Sequence, residues 1–311
     1  MSTARYVLSR VGQAFVVVWL AFTLVFLAIQ AMPGDPVTIF LNSNGTPTAE
    51  EVAAMKAAYG YDQPLLAQYL AQLGGLFTGD LGYSLTSGQP VITRIGSVAG
   101  STLVLAGSAF VTAVVIALAL VTAAVLVPSG RVRALLSVLP PLLAATPVFW
   151  LGLIALQVLS LQLGWVSLFP DGSVASTAVP VAILALFTSA PIAQVLLTAV
   201  QRALTEPYVD VLRARGASEA RILFGHVLRA AAPATLTVMA LAIGTLLAGS
   251  VITETVFARP GIGTVVLQAV TAQDVPLVQG VVLLTAAAFA VANLAADLAH
   301  PLLDPRVLAR R

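Results

Sequence analysis

Lys56 is the only lysine, His226 and His300 are the only histidines, and there is no cysteine in a chain of 311 residues. These few residue types settle which reactions the chain could perform. An ATP-cradling loop, G-x-x-x-x-G-K-[ST], needs a glycine before its lysine, and Lys56 follows Met55, so that loop is excluded. Without cysteine there is no thiolate metal site, no disulfide framework and no cysteine nucleophile. The two histidines lack the H-E-x-x-H spacing of a hydrolytic zinc site, and both are expected at a membrane interface rather than on a metal. Gly261 and Gly263 open a G-x-G, but Val266 stands where a dinucleotide fingerprint has its third glycine.

The elements that carry these residues are set by composition. Apolar residues make up 59% of the chain and charged residues 9%, against about a quarter charged in an ordinary soluble protein. More than half of a soluble surface is already apolar, so a chain this poor in polar groups cannot cover a water-exposed globule. Its main solvent is lipid, and the expected fold is an all-α integral membrane protein. Spanning ~30 Å of hydrocarbon takes about 20 helical residues, and a charge at the helix centre costs roughly 2.5–3.5 kcal/mol. Six charge-free intervals are long enough: 11–34, 95–130, 134–170, 172–201, 230–253 and 275–296. They predict six transmembrane helices over 9–31, 98–127, 135–162, 178–200, 232–256 and 277–299. The next longest interval, 63–79, contains Pro64, glutamines and glycines and reads as surface structure. The first span is too long for a cleavable signal, and Ile29-Gln30-Ala31 lacks the small-x-small pattern of a cleavage site, so it reads as an uncleaved anchor.

Net charge is +2, and its placement carries the information. With six spans, one side collects Arg5, Arg10, Arg131, Arg133, Arg202, Arg213, Arg215, Arg221, Arg229, Arg306, Arg310 and Arg311. The other collects Lys56, Arg94 and Arg259. The first side, with both termini, is expected in the cytoplasm.

The span centres hold no ionisable group; Glu254 and Asp297 fall near ends. An ion-coupled carrier or membrane enzyme has little to work with here. Only neutral groups such as Gln157, Gln194, Thr237 and Thr245 could line a passage. Pro140, Pro141 and Pro147 in the third span and Pro191 in the fourth are expected to kink their helices. Gly244, Thr245, Gly249 and Ser250 in the fifth allow close helix approach.

Two loops exceed simple connectors. In 33–97, Thr48 and Glu51 form a capping box, Gly60 ends that helix, and a second is expected from Pro64 to Gly74-Gly75. The segment is either a small external helical cap or an amphipathic spacer on the headgroups. In 201–231, Thr205 is expected to cap a helix with Glu206 and Pro207 in its first turn. Tyr208, Val211 and Leu212 would share one face, with Asp210 and Arg213 on another. Gly216 supplies a break, with positive φ expected, and Ser218 caps a second helix running toward Pro233. Such a pair either floats on an anionic leaflet through its arginines or docks an apolar stripe into a partner's groove.

Beyond these readings, the chain resembles the inner-membrane permease subunits of bacterial ABC importers for dipeptides, oligopeptides and nickel. The likeness runs from Met32-Pro33-Gly34-Asp35-Pro36 through Tyr61-Asp62-Gln63-Pro64-Leu65 and Gly79-Asp80-Leu81-Gly82-Tyr83-Ser84. Its most specific part is Arg213-Ala214-Arg215-Gly216-Ala217-Ser218 to His226-Val227-Leu228-Arg229, followed by Pro260-Gly261-Ile262-Gly263, Asn293-Leu294, Asp297-Leu298 and Leu303-Asp304-Pro305-Arg306. Gly216 matches the glycine of the family's EAA motif, whose Glu-Ala-Ala is replaced here by Asp210-Val211-Leu212. The resemblance implies a type I importer architecture: this chain paired with a second permease, two cytoplasmic ATPases that bind ATP and Mg, and an external binding protein. It implies that no cofactor is bound by this chain and that Thr205 to Arg221, including Arg215 and Arg221, seat on an ATPase. Phe257, Arg259, Pro260 and Gly261 are then expected at an external docking loop. A non-transporting scaffold or sensor, or a six-helix channel, are the other classes compatible with the residues alone.

Overall fold

The computed structural model describes residues 3–31, 34–167 and 174–303, and its regular elements there are helices. Met32, Pro33 and the run from Asp304 to Arg311, which carry part of the family likeness and three of the counted arginines, lie outside the described residues. In chain order the α-helices are α1 (Thr3–Gln30), α2 (Pro36–Asn44), α3 (Ala49–Tyr59), α4 (Leu65–Thr78), α5 (Val91–Leu126), α6 (Gly130–Ala144) and α7 (Val148–Ala155). They continue with α8 (Val174–Leu204), α9 (Pro207–Ala214), α10 (Glu219–Ile222), α11 (Leu228–Val256), α12 (Ile262–Thr271) and α13 (Val275–Leu303). π-helical turns follow α7 (Leu156–Gln162) and α10 (Leu223–Val227). Among the described residues five helices are long and apolar enough to cross a membrane: Arg5–Gln30, Val91–Leu126, Ser176–Leu204, Glu219–Val256 and Val275–Leu298. A sixth candidate is the pair Gly130–Ala144 and Val148–Gln162, bent by 102°.

That bend corrects the expected continuous span over 135–162. Pro140 and Pro141 are accommodated inside α6, whereas Pro147 is not followed through. Proline disfavours the helical conformation of the residue before it and offers no N–H. The helix therefore unwinds over Ala145–Pro147, the Thr146 hydroxyl donates to the Leu142 carbonyl at 2.9 Å, and α7 restarts on the Pro147 carbonyl.

The chain divides into two compact units. The first takes the described residues up to Val11, Val104–Arg259 and those from Val291 on. Its centre is the packing of α8 on α11, with α5 laid beside them. Leu105, Ala109, Ala113 and Ala117 recur every four residues on one face of α5 and are buried among Leu184, Ala185, Ile192 and Ala193 of α8 and Ala242 and Leu246 of α11. Small residues let the backbones close up. At Gly249 a β-carbon would stand 2.9 Å from Leu184 Cδ1, so a larger residue there would have to displace the end of the Leu184 side chain, and the small-residue run keeps the two helices close. The start of α1 is tied to α13: Arg10 Nη1 lies 3.3 Å from Asp297 Oδ2, and the Tyr6 hydroxyl donates to the Asp297 carbonyl at 2.7 Å.

The second unit comprises Gly12–Leu103 and Pro260–Ala290. The capping box at α3 forms as the sequence predicts, with Glu51 N donating to Thr48 Oγ1 and Thr48 N to Glu51 Oε2, and Gly60 ends the helix at φ +73°. Helix α2, not anticipated, is capped by Asp35, which accepts from Thr38 N at 2.9 Å and pairs with Lys56 at 2.7 Å. Partial burial works against that carboxylate, yet the bonds from Lys56 and Thr38 hold it below its ordinary range. Helix α4 runs past Gly74-Gly75, where an end is expected, to Gly79 at φ +78°. Gly75 serves the returning chain instead: a β-carbon there would lie 2.5 Å from the Asp80 carbonyl oxygen.

The core of this unit brings Val91 and Ile95 of α5 against Val265 and Ala269 of α12 and Leu277 and Val281 of α13. One fully buried carboxylate ties its ends together. Asp274 accepts from Leu85 N and Thr86 N, both at 3.1 Å, from the Ser84 hydroxyl, and from Leu277 N at 3.3 Å in the first turn of α13. It caps a helix and clamps a loop with one side chain. Burial, with Asp274 and Asp35 close by, also pushes the Tyr61 phenol up to about 12, so its proton stays on.

Candidate docking site

The 201–231 stretch folds as two short helices on a tight turn. Pro207 occupies the first position of α9, where its missing N–H is harmless, and Glu206 takes the cap position without a side-chain bond. Thr205, expected as the cap, instead turns its hydroxyl back to the Arg202 carbonyl at 2.8 Å. The α9 helix ends at Arg215, and Gly216 turns the chain at φ +80°, the left-handed region that glycine enters without strain. Ser218 caps α10, accepting from Arg221 N at 3.3 Å.

Arg213 then closes the turn. Its Nε donates to Glu219 Oε1 at 2.8 Å and its Nη2 to Glu219 Oε2 at 3.2 Å, and Asp210 lies 3.5 Å from Nη1. The sequence places Arg213 beside Asp210 on one face of a helix; in the structure it bridges α9 and α10 through Glu219. The bidentate fork fixes the relative angle of the two helices as a single carboxylate contact would not.

Beneath the turn, Val209 of α9, Ile222 of α10 and Leu223 and Val227 of the π turn are fully buried with Val121 of α5 and Leu196 and Val200 of α8. Of these, Val209 of α9 is removed from water on packing, which contributes about 1.5–3 kcal/mol, and close packing among the rest holds the pair against the bundle. Leu212 packs on this core too, so it does not share the outer stripe with Tyr208 and Val211. Those two remain exposed, as do Phe224, Arg215 and Arg221. From Glu219 the chain continues through the π turn into α11 and past Pro233, which lies inside the helix, so α10 and the span form one rod to Val256. The arrangement holds an apolar and basic surface on a stiff mount. It has no nucleophile set, and among the described residues no group of three metal-ligating side chains.

The other expected site residues do not converge. Gln157 is exposed within the π turn after α7 and Gln194 is half-buried in α8. Thr237 and Thr245 are exposed on α11, their hydroxyls donating to the Pro233 and Ala242 carbonyls at 3.2 and 2.9 Å. Phe257, expected at an external docking loop, is buried, its ring 3.5 Å from where a Gly152 β-carbon would stand. Gly261 is buried as well, and Pro260 is exposed. Arg259 Nη1 spends its donors on the Ser176 carbonyl and Thr177 Oγ1, both at 3.1 Å. The sequence reading missed Glu219 as the partner of Arg213 and Asp274 as a clamp. Asp274 was visible in principle, since it sits at the cap position just before an apolar run.

Two family models match the chain. Residues 115–309 match the binding-protein-dependent transport system inner membrane component, and residues 3–106 match the N-terminal part of the same class of membrane component. Among similar proteins, a peptide transport system permease protein of Brucella abortus (strain 2308) is 33% identical over 313 residues, covering 97% of this chain and 98% of the relative. A di/tripeptide transport system permease protein of Pseudomonas aeruginosa is 32% identical, covering 93% and 94%. A dipeptide transport system permease protein of Lactococcus lactis subsp. cremoris is 30% identical, covering 97% and 99%.

Proposed function

We propose, from the premise that this chain belongs to the binding-protein-dependent transport system inner membrane components, that it forms half of the membrane passage of an ATP-driven importer of di- or oligopeptides. The observation that carries this is the stiff mount at 201–231. An exposed Tyr208 and Val211 sit on a turn locked by Arg213 and Glu219, and α10 runs without a break into the candidate span ending at Val256. A partner seated on α9 thereby pulls on a membrane helix. In this reading the partners are two cytoplasmic ABC ATPases, which hold ATP and Mg, a second homologous permease, and an external binding protein that presents the cargo. The peptide class is supported by the names borne by full-length relatives. Closure of the ATPases would draw the two mounts together, and the helix bundle would switch between two arrangements that they bias.

The split of twelve arginines against Lys56, Arg94 and Arg259 supports cytoplasmic termini in an inner membrane. Because the chain has no cysteine, labelling is clean. Cysteines introduced at Thr46 and Ser129, both exposed, are expected to react from opposite sides of sealed spheroplasts. Modification of both by an impermeant reagent from outside would invert or break the assigned topology.

Selectivity is expected in the binding protein. The threonines named for a passage, Thr237 and Thr245, donate their hydroxyl protons to carbonyls of their own helix, and no paired charge awaits a peptide terminus at a span centre. Stripping water from such a terminus without a partner costs several kcal/mol. The test is ATP hydrolysis by the complex reconstituted with its ATPases. Loaded binding protein is expected to stimulate it strongly, and free peptide alone to leave it near basal. Saturation by micromolar free peptide would place recognition in the membrane passage instead, and indifference to both would remove the importer reading.

A further inference from the structure

Helix α4 has its polarity turned inside out for a helix in water. Gln68 is 8% exposed, and its amide donates to the Gln63 carbonyl at 2.7 Å and accepts from Gln30 Nε2 at 3.3 Å. One turn on, Gln72 accepts from Gln279 Nε2 at 3.1 Å. The outward face carries Leu66, Leu70 and Phe77, which are 70%, 57% and 71% exposed. Polar groups inside and large apolar groups outside is the arrangement expected where the surroundings are hydrocarbon. Helix α3, a few residues earlier, has the opposite character, with Glu50, Glu51 and Lys56 on eleven residues.

Packing sets the depth. Gln68 meets Gln30; Tyr69 hydrogen-bonds to Thr23 and Trp19 and lies against the rings of Phe22 and Phe26; Phe77 stacks on Phe15 at 6.3 Å. As α4 advances from Gln68 to Phe77, about 13 Å at 1.5 Å per residue, its partners on α1 run backwards from Gln30 to Phe15. Those α1 residues lie in the charge-free part, after Arg10, of the candidate span Arg5–Gln30, whose own Phe15, Leu20, Leu24 and Leu27 are exposed. A helix laid along that stretch shares its solvent.

We infer that α4 is a re-entrant helix immersed in the bilayer beside α1, its outward face covered by lipid acyl chains, rather than part of a cap standing in water. Irregular backbone is tolerated at membrane depth only where protein buries it or a wet cavity borders it. The chain after Gly79 meets that condition from Leu81 to Leu85, where Leu81 and Gly82 are half-buried and Ser84 and Leu85 buried, whereas residues 86–90 are exposed and belong outside the hydrocarbon. Asp80 accepts from Gly82 N, the Asp274 clamp satisfies the next turn, and a cavity of about 210 Å³ lies beside Tyr61, Gln72, Asp80 and Gln279. The inference rests on α1 being a span and is independent of the importer reading.

The test uses single nitroxide labels in the full complex in lipid vesicles, at Leu66, Leu70 and Phe77, with exposed Ala54 on α3 as the reference. Collision with oxygen is expected to exceed collision with a water-soluble nickel chelate at all three α4 sites, more at Phe77 than at Leu66, with the order reversed at Ala54. Chelate-dominated collision at Leu70 and Phe77 would return α4 to water. Shielding from both reagents would mean that a partner subunit covers the face, and would equally overturn lipid as its occupant.

Discussion

Replacing Asp274 with alanine is expected to free the loop over 79–90 and lower the amount of folded protein in the membrane severalfold. The carboxylate receives four donors, among them the backbone N–H groups of the buried Leu85 and Leu277, which have no water to turn to. Each buried donor left unpaired costs about 1–3 kcal/mol, so the loss at Leu85 and Leu277 together is roughly 2–6 kcal/mol. Set against a total stability of about 5–15 kcal/mol, that is a large fraction. The damage should be local, because Asp274 and its partners all lie in the second unit. Limited proteolysis should cut between Gly79 and Pro90 while the α8 and α11 core stays intact, and the thermal midpoint of the purified complex should fall. Asn at the same position keeps the shape but offers one acceptor oxygen instead of two, and should fall between alanine and the native chain. Native abundance and protease resistance in the alanine variant would show that the four bonds do not hold the loop.

Valine at position 216 is expected to abolish transport while leaving membrane insertion unchanged. No atom stands within 4 Å of a β-carbon at Gly216, so the effect is conformational rather than steric. At φ +80° an L-residue costs about 1–2 kcal/mol, and a β-branched one is a genuine outlier. The turn can relieve that strain only by opening, which pulls Arg213 from Glu219 and re-aims Tyr208 and Val211. Asparagine, which tolerates the left-handed region, should restore most of the activity. Uptake of peptide and co-purification of the ATPases check both variants. Normal uptake by the valine variant would remove 201–231 from the coupling route.

Spans were legible in the sequence because charge is excluded from hydrocarbon so strongly that bare intervals nearly locate them. Helix punctuation was legible where one residue acts alone: the Thr48–Glu51 box, Gly60, and the Gly216 and Ser218 turn are as the sequence predicts. What escaped depends on partners distant along the chain. Asp274 gains its meaning from Ser84 to Thr86, nearly two hundred residues away. Three prolines were visible in the third span, but only the structure distinguishes Pro147, which breaks it, from Pro140 and Pro141, which do not. Arg213 was weighed as a surface charge because its partner lies across a turn whose angle no periodicity reports. Interval 63–79 reads as surface structure rather than a span from its Pro64, glutamines and glycines, and it forms no candidate span, but the sequence does not show that Gln68 and Gln72 turn toward protein.

The π turn at Leu223–Val227 bears on how motion could be geared along the rod from Glu219 to Val256. Such a turn stores one residue of slack that the α-helical turns on either side do not have. Drawing that residue out would rotate everything beyond it by about 100° and slide it by about 1.5 Å, with no change in the bonds that anchor either end. The rod thus has fixed stiffness but adjustable phase. A pull at Tyr208 need not arrive at Gly249 as a pull; it can arrive as a twist, presenting a different face of α11 to Leu184.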